Sequence, residues 1–97
     1  MNLEEVAKGV ELWLADLASD GPDLRVTAHH KTVHEALEFE ETPIPNEAAD
    51  VLMTLIGSLN HNGFTVDDLT KALHEILEKN RSSEWRLLDD GTYRRVR

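Results

Sequence analysis

The chain has 97 residues, of which 40% are hydrophobic and 30% charged, and it has no cysteine. That length holds one core rather than two, so a single domain over residues 1–97 is expected. The absence of thiols excludes a disulfide framework, a thiolate zinc site and a cysteine nucleophile, and it fits a reducing cytoplasm. Nineteen acids against ten bases give a formal net charge of −9, which argues against nucleic-acid polymers as partners. No apolar run approaches the ~18 residues of a membrane span. Met1 to Lys8 carries two glutamates and no basic stretch, so no signal peptide is expected.

The charge is unevenly spread. Residues 1–80 hold 16 acids and 5 bases, net −11, whereas residues 81–97 hold 3 acids and 5 bases, net +2. Two accounts fit. One is solubility with charge pairing between body and tail. The other is an acidic site for a cation, with arginines nearby for an anionic ligand.

Leu3, Val6, Val10, Trp13 or Leu14, and Leu17 recur at helical spacing and predict a first helix over about 2–18. Gly21-Pro22 ends it. Val26, Val33, Ala36 and Leu37 mark a second helix, about 24–40, starting after Asp23. Thr42-Pro43-Ile44-Pro45 breaks the chain, and Pro45 suits the first turn of a third helix, about 46–61. That helix is apolar nearly all round, as expected of a central, mostly buried element. Gly63 ends it. Thr65, with Asp68 three residues on, starts a fourth helix over about 66–81. The tail, 82–97, changes rhythm: Trp85 to Leu88, then Asp89-Asp90-Gly91, then Thr92 to Val96 reads as a hairpin or extended arm. The expected fold is all-α, an antiparallel four-helix bundle with that short arm. Five aromatic residues are few for a bundle standing alone, so an oligomer is expected.

Glu35 and Glu38 share one face of the second helix at i, i+3, and Glu47 and Asp50 share one face of the third. A short turn joins these helices, so four carboxylates can converge. Glu47 is explained by the helix dipole alone. Asp50 lies between Ala49 and Val51 in the most apolar stretch, where a buried carboxylate needs a partner. Either the partner is a hard cation, Mg²⁺ or Mn²⁺, or Asp50 pairs with a basic side chain and the other acids are solvated. His30 and His34 stand at i, i+4, but so do His34 and Glu38, a simple surface pair. No Glu-x-x-His follows either acidic pair, against a di-iron bundle, and no Gly-rich phosphate loop precedes a helix. Lys79, Asn80 and Arg81 close the fourth helix, where cations are common through the dipole alone.

Glu35-Ala-Leu-Glu38 followed by Glu47-Ala-Ala-Asp50 resembles the E-x-x-E … E-x-x-D signature of the all-α nucleoside triphosphate pyrophosphohydrolases, MazG-like proteins above all. Lys79-Asn80-Arg81-Ser-Ser-Glu-Trp85 and Asp90-Gly91-Thr-Tyr93 resemble the tail of the same group, with the arginine directly after Asn80 rather than at its usual later place. The likeness runs from about Lys31 to Val96. Eight residues separate the acidic pairs, where longer connections are common, which leaves the number of ions open.

The resemblance implies Mg²⁺-dependent, or Mn²⁺-dependent, hydrolysis of a nucleoside triphosphate to monophosphate and pyrophosphate. It implies that Glu35, Glu38, Glu47 and Asp50 hold metal, with Glu38 also orienting the attacking water. Lys79 and Arg81 would bind phosphate oxygens, with Asn80 and Trp85 beside them. Trp13 and Trp85 either fill core or stack on a base, and Trp85 is the better stacking candidate. A homodimer or homotetramer is implied. The alternatives are phosphoribosyl-ATP pyrophosphohydrolase, against which the Asn80-to-Trp85 tail argues, and a non-catalytic acidic helical interaction module.

Overall fold

The computed structural model describes residues 1–18 and 25–97, excepting the side chains of residues 18 and 25–29. The expected helix boundaries at Gly21-Pro22 and Asp23 lie outside the described residues. The described chain is all-α, with helices α1 (Leu3–Ala18), α2 (Arg25–Glu41), α3 (Pro45–His61) and α4 (Val66–Arg81), then strands β1 (Trp85–Leu87) and β2 (Tyr93–Arg95). It forms two compact units, Met1–Asp67 and Asp68–Arg97. No helix among the described residues is long and apolar enough to cross a membrane.

In the first unit, Asn2 opens α1: its Oδ1 accepts the Glu5 N–H at 2.8 Å, satisfying one of the donors that a helix start leaves free. The inward side of α1 is Ala7, Val10, Glu11 and Leu14, at i, i+3, i+4 and i+7. Leu3, Val6, Trp13 and Leu17, part of the expected stripe, are exposed. The helix is rotated because Leu14 packs over Gly57 of α3, its Cδ1 3.6 Å from where a glycine Cβ would stand.

Between α2 and α3 only Thr42–Ile44 intervene. Ile44 is extended (φ −113°, ψ 161°) and Pro45 occupies the first helical turn, where its missing N–H costs nothing. So short a link folds α3 back along α2, and these helices pack more extensively than any other pair. The centre of α3 carries the core: Ile56 is 1% exposed. Burial is nevertheless narrower than an all-round apolar helix predicts. Val51 to Thr54 are half-buried and Leu55 is exposed, because α1 and α2 leave part of the α3 surface uncovered.

Gly63 ends α3 by adopting φ +85°, a left-handed conformation that favours glycine. The Phe64 N–H donates to Leu59 O at 3.0 Å and the Gly63 N–H to Asn60 O at 3.1 Å, a paired closure of the last helical carbonyls. The start of α4 is then fastened to α1. The Val66 N–H donates to Glu11 Oε2 at 2.8 Å, and Lys8 Nζ lies 3.1 Å from Asp67 Oδ1. In its hydrogen-bonded orientation, the Asn60 amide donates to the same Glu11 oxygen at 2.8 Å and to Phe64 O at 2.9 Å. Nothing in the local sequence pattern singles out Glu11, since its partners lie 55 residues away and at the far end of α3.

The second unit holds the rest of α4 and the tail. Trp85 Nε1 donates to Asn80 O at 2.8 Å, turning the chain back at the helix end. Strands β1 and β2 pair antiparallel, Trp85 with Arg95, Arg86 with Arg94 and Leu87 with Tyr93. Their turn is built by Asp90, whose Oδ1 accepts from the Thr92 N–H at 2.9 Å and Oγ1 at 2.6 Å, with Gly91 at φ +85°. Those Thr92 hydrogen bonds hold the Asp90 carboxyl below its ordinary range.

Glu11→Ala removes the acceptor at the start of α4 and should lower unfolding stability by about 1–2 kcal/mol in urea titration, the range for a lost helix cap. Glu11→Gln keeps an acceptor oxygen and should cost less. Equal stability of Glu11→Ala and the parent would show that the cap carries no weight.

Candidate active site

The antiparallel turn decides which acids meet. Glu35 lies two turns before the end of α2, and Glu47 and Asp50 lie in the first turns of α3. One carboxylate oxygen from each of Glu35, Glu47 and Asp50 comes within 4.8 Å of the others. They differ in burial: Glu35 is 7% exposed, Glu47 half-buried and Asp50 exposed. Asp50 is therefore not sunk in the core as its apolar neighbours predict. It sits on the solvent side of α3, where the helix passes the α2 carboxylates, and needs no core partner.

Glu38 stands outside this trio and pairs with a histidine of its own helix. His34 Nε2 lies 3.1 Å from Glu38 Oε1, one helical turn earlier. Lys31 stands in the same relation to Glu35, with Nζ 3.0 Å from Oε1. Glu35 and Glu38 are pushed apart in acidity. The hydrogen bond from Lys31 holds the Glu35 carboxyl below its ordinary range, against the opposing effect of burial. The hydrogen bond and negative charge of Glu35 push the Glu38 carboxyl up. Lys31 itself is raised by its hydrogen bond to Glu35.

The donor set suits one class of ligand. Carboxylate oxygens without sulfur or imidazole favour Mg²⁺ or Mn²⁺. Oxygens bound ~2.1 Å from one Mg²⁺ stand about 3.0 Å apart at adjacent positions and about 4.2 Å apart at opposite ones, so side-chain rotations on the order of 1 Å would close the trio onto one ion.

In the second unit, Lys79 and Arg81 occupy the last turn of α4. Arg81 Nη1 lies 3.5 Å from Glu78 Oε1 in an exposed pair, and the Lys79 carbonyl accepts from the Ser82 and Ser83 hydroxyls. Trp85 remains 43% exposed despite its hydrogen bond to Asn80 O. Trp13 is exposed as well, so neither tryptophan fills core within the chain.

The sequence profile of the dATP/dGTP pyrophosphohydrolase family matches residues 12–96. The chain belongs to that family. It is a hydrolase, a nucleoside triphosphate pyrophosphohydrolase, and its substrate is a nucleotide. Among solved structures it is similar to a MazG-like pyrophosphohydrolase of cyanophage S-2L, at 25% identity and a TM-score of 0.71 over 100% of this chain and 99% of that one. That protein was solved bound to dGDP and three catalytic Mn²⁺ ions per active site. No curated protein matches the chain. The family and the all-α, MazG-like fold follow the resemblance carried by the acidic pairs, and they decide against a non-catalytic module.

Without metal, a side-chain carboxyl NMR titration should find Glu35 and Glu38 on opposite sides of the usual glutamate value of 4.5. The signs for stability are opposite. The Glu35 contribution is present above the ordinary glutamate range and lost as pH falls through its lowered value. The Glu38 contribution is present below that range and lost as pH rises through its raised value. Two coincident titrations at the ordinary value would contradict the hydrogen-bonded pair.

Proposed function

We propose that this protein hydrolyses purine deoxynucleoside triphosphates to monophosphate and pyrophosphate, with Glu35, Glu47 and Asp50 holding the divalent metal. The observation that carries the reading is the 4.8 Å convergence of these oxygens from two helices within the family-matched residues. The family's description and the dGDP bound by the cyanophage protein support the purine deoxynucleotide class. The Mn²⁺ ions of that protein support Mg²⁺ or Mn²⁺ as the cofactor.

A divalent metal held by Glu35, Glu47 and Asp50 would supply charge neutralisation for the phosphate chain and activation of water at neutral pH. Without it, a body carrying a net charge of −11 over residues 1–80 would repel a triphosphate. Glu38 accepts the proton of the attacking water. Its place outside the trio leaves an oxygen for that task, and its raised basicity suits a proton acceptor. Glu38, hydrogen-bonded to Glu35, is also a candidate further metal ligand. Lys79 and Arg81 bind phosphate oxygens, Arg81 by its two-pronged guanidinium, and Asn80 supports them at the helix end. The exposed ring of Trp85 offers a stacking surface for the base.

A homodimer or homotetramer is part of this proposal. Val33, Leu37 and Leu55 in the first unit, and Leu73, Ile76 and Leu77 in the second, are exposed in the single chain. Apolar faces of this kind are covered in a stable soluble protein by another surface.

Pyrophosphate release from a panel of ribo- and deoxyribonucleoside triphosphates, with Mg²⁺ and then with EDTA, tests the reading. Metal-dependent release with dATP and dGTP preferred is expected. Asp50→Asn and Glu38→Gln should each lower kcat by about 100-fold or more while the metal-free fold stays as stable or gains stability, because each removes a repelling charge. Release from phosphoribosyl-ATP alone would reassign the substrate, and unfolding of Asp50→Asn without metal would make that residue structural.

A further inference from the structure

Lys31 has no part in the chemistry described above, yet it makes the closest approach of any basic side chain among the described residues to the acidic trio. Its Nζ lies 3.0 Å from Glu35 Oε1, with the lysine side chain 61% exposed and that of Glu35 only 10%. Glu35 is the buried member of the trio, the acid with least water to screen it. The ammonium is drawn to Glu35 first, then also by the charges of Glu38 and Asp50. One mobile cation thus faces acids from both α2 and α3.

The order of the pair along the helix is informative. A lysine placed four residues before a glutamate is the weaker of the two helical arrangements. Lys31 therefore adds little to the helix as such. Its long flexible stem reaches the carboxylates from solvent and can leave again at small cost, since ion pairs this open to water contribute little. A divalent ion carries twice the charge and draws on the same carboxylate. The two cations cannot both sit on Glu35 at full strength.

From this geometry we infer that Lys31 is a resident counter-cation of the metal-free site, paired with Glu35 until a divalent ion displaces it. The inference rests on the assignment of Glu35, Glu47 and Asp50 as metal ligands. Lys31 acts through Glu35 and is a positioning residue: it keeps three clustered carboxylates compatible with the folded state when no metal is bound. It also sets a threshold for loading, because metal must compete with it. The displaced ammonium remains on a tether one helical turn from the site.

The test uses the full chain stripped with EDTA, with Mn²⁺ binding measured by calorimetry for the parent, Lys31→Gln, Lys31→Arg and Asp50→Asn. Lys31→Gln should bind Mn²⁺ about threefold to tenfold more tightly, the scale of one partly exposed ion pair. Lys31→Arg, which keeps the charge and the reach, should stay within about twofold of the parent, a difference of roughly 0.4 kcal/mol at most. Thermal unfolding supplies a second reading that a merely structural surface pair would not give. Lys31→Gln should melt lower than the parent without metal and equal to it at saturating Mg²⁺. Unchanged or weaker Mn²⁺ binding by Lys31→Gln, while Asp50→Asn loses it, would overturn the role of Lys31 and leave the ligand set standing. Equal Mn²⁺ binding by Asp50→Asn and the parent would overturn the ligand set and the inference together.

Discussion

Like charges held close must be compensated, and in this protein the compensation organises the site. Oxygens of Glu35, Glu47 and Asp50 lie within 4.8 Å of one another, one of them on a buried residue. The fold holds them there with tight local devices. A three-residue link with Pro45 behind it returns α3 along α2, and the packing of these helices fixes the distance. Lys31 and His34 of α2 then stand one turn before Glu35 and Glu38 and pair with them, the Lys31 ammonium partly neutralising Glu35. A divalent ion is the natural completion of such a set, because it meets several carboxylates at once where each monovalent side chain meets one.

Much of this was legible in the residues. The i, i+3 spacing of Glu35 with Glu38 and of Glu47 with Asp50, on helices joined by a proline-containing break, is local information. So is the tail, where Asp89-Asp90-Gly91 between extended pieces forms the turn of a two-stranded hairpin. What was not legible depends on rotation and long-range contact. The inward side of α1 is displaced from its most apolar stripe because Leu14 must sit over Gly57. The exposure of Asp50 depends on where α2 ends along α3, not on the side chains flanking it. Glu11 caps a helix that begins 55 residues later, and no local pattern encodes such a bond. Periodicity likewise marked α3 as apolar without saying which apolar side chains its own chain would cover.

The second unit contributes a different kind of chemistry. Its basic residues follow an acidic body, and strand register sets Arg86 directly opposite Arg94. Unlike the α2 acids, these like charges are well exposed to water and widely hydrated, so the hairpin accepts them at modest cost. Its stability is carried instead by backbone pairing and by the Asp90 turn, with two hydrogen bonds from Thr92. The same end of the chain presents the exposed Trp85 ring, anchored through its Nε1 to Asn80 O. The anchor restricts the ring's rotation without hiding its surface, which suits the stacking role proposed for it.

We propose that the α2–α3 carboxylates form one divalent-metal centre. Its most direct test is anomalous diffraction from crystals grown with Mn²⁺, collected at the manganese edge. Manganese density is expected within about 2.2 Å of carboxylate oxygens from Glu35, Glu47 and Asp50, the usual distance for a hard cation on oxygen ligands. Manganese bound elsewhere, with these three side chains bare, would contradict it.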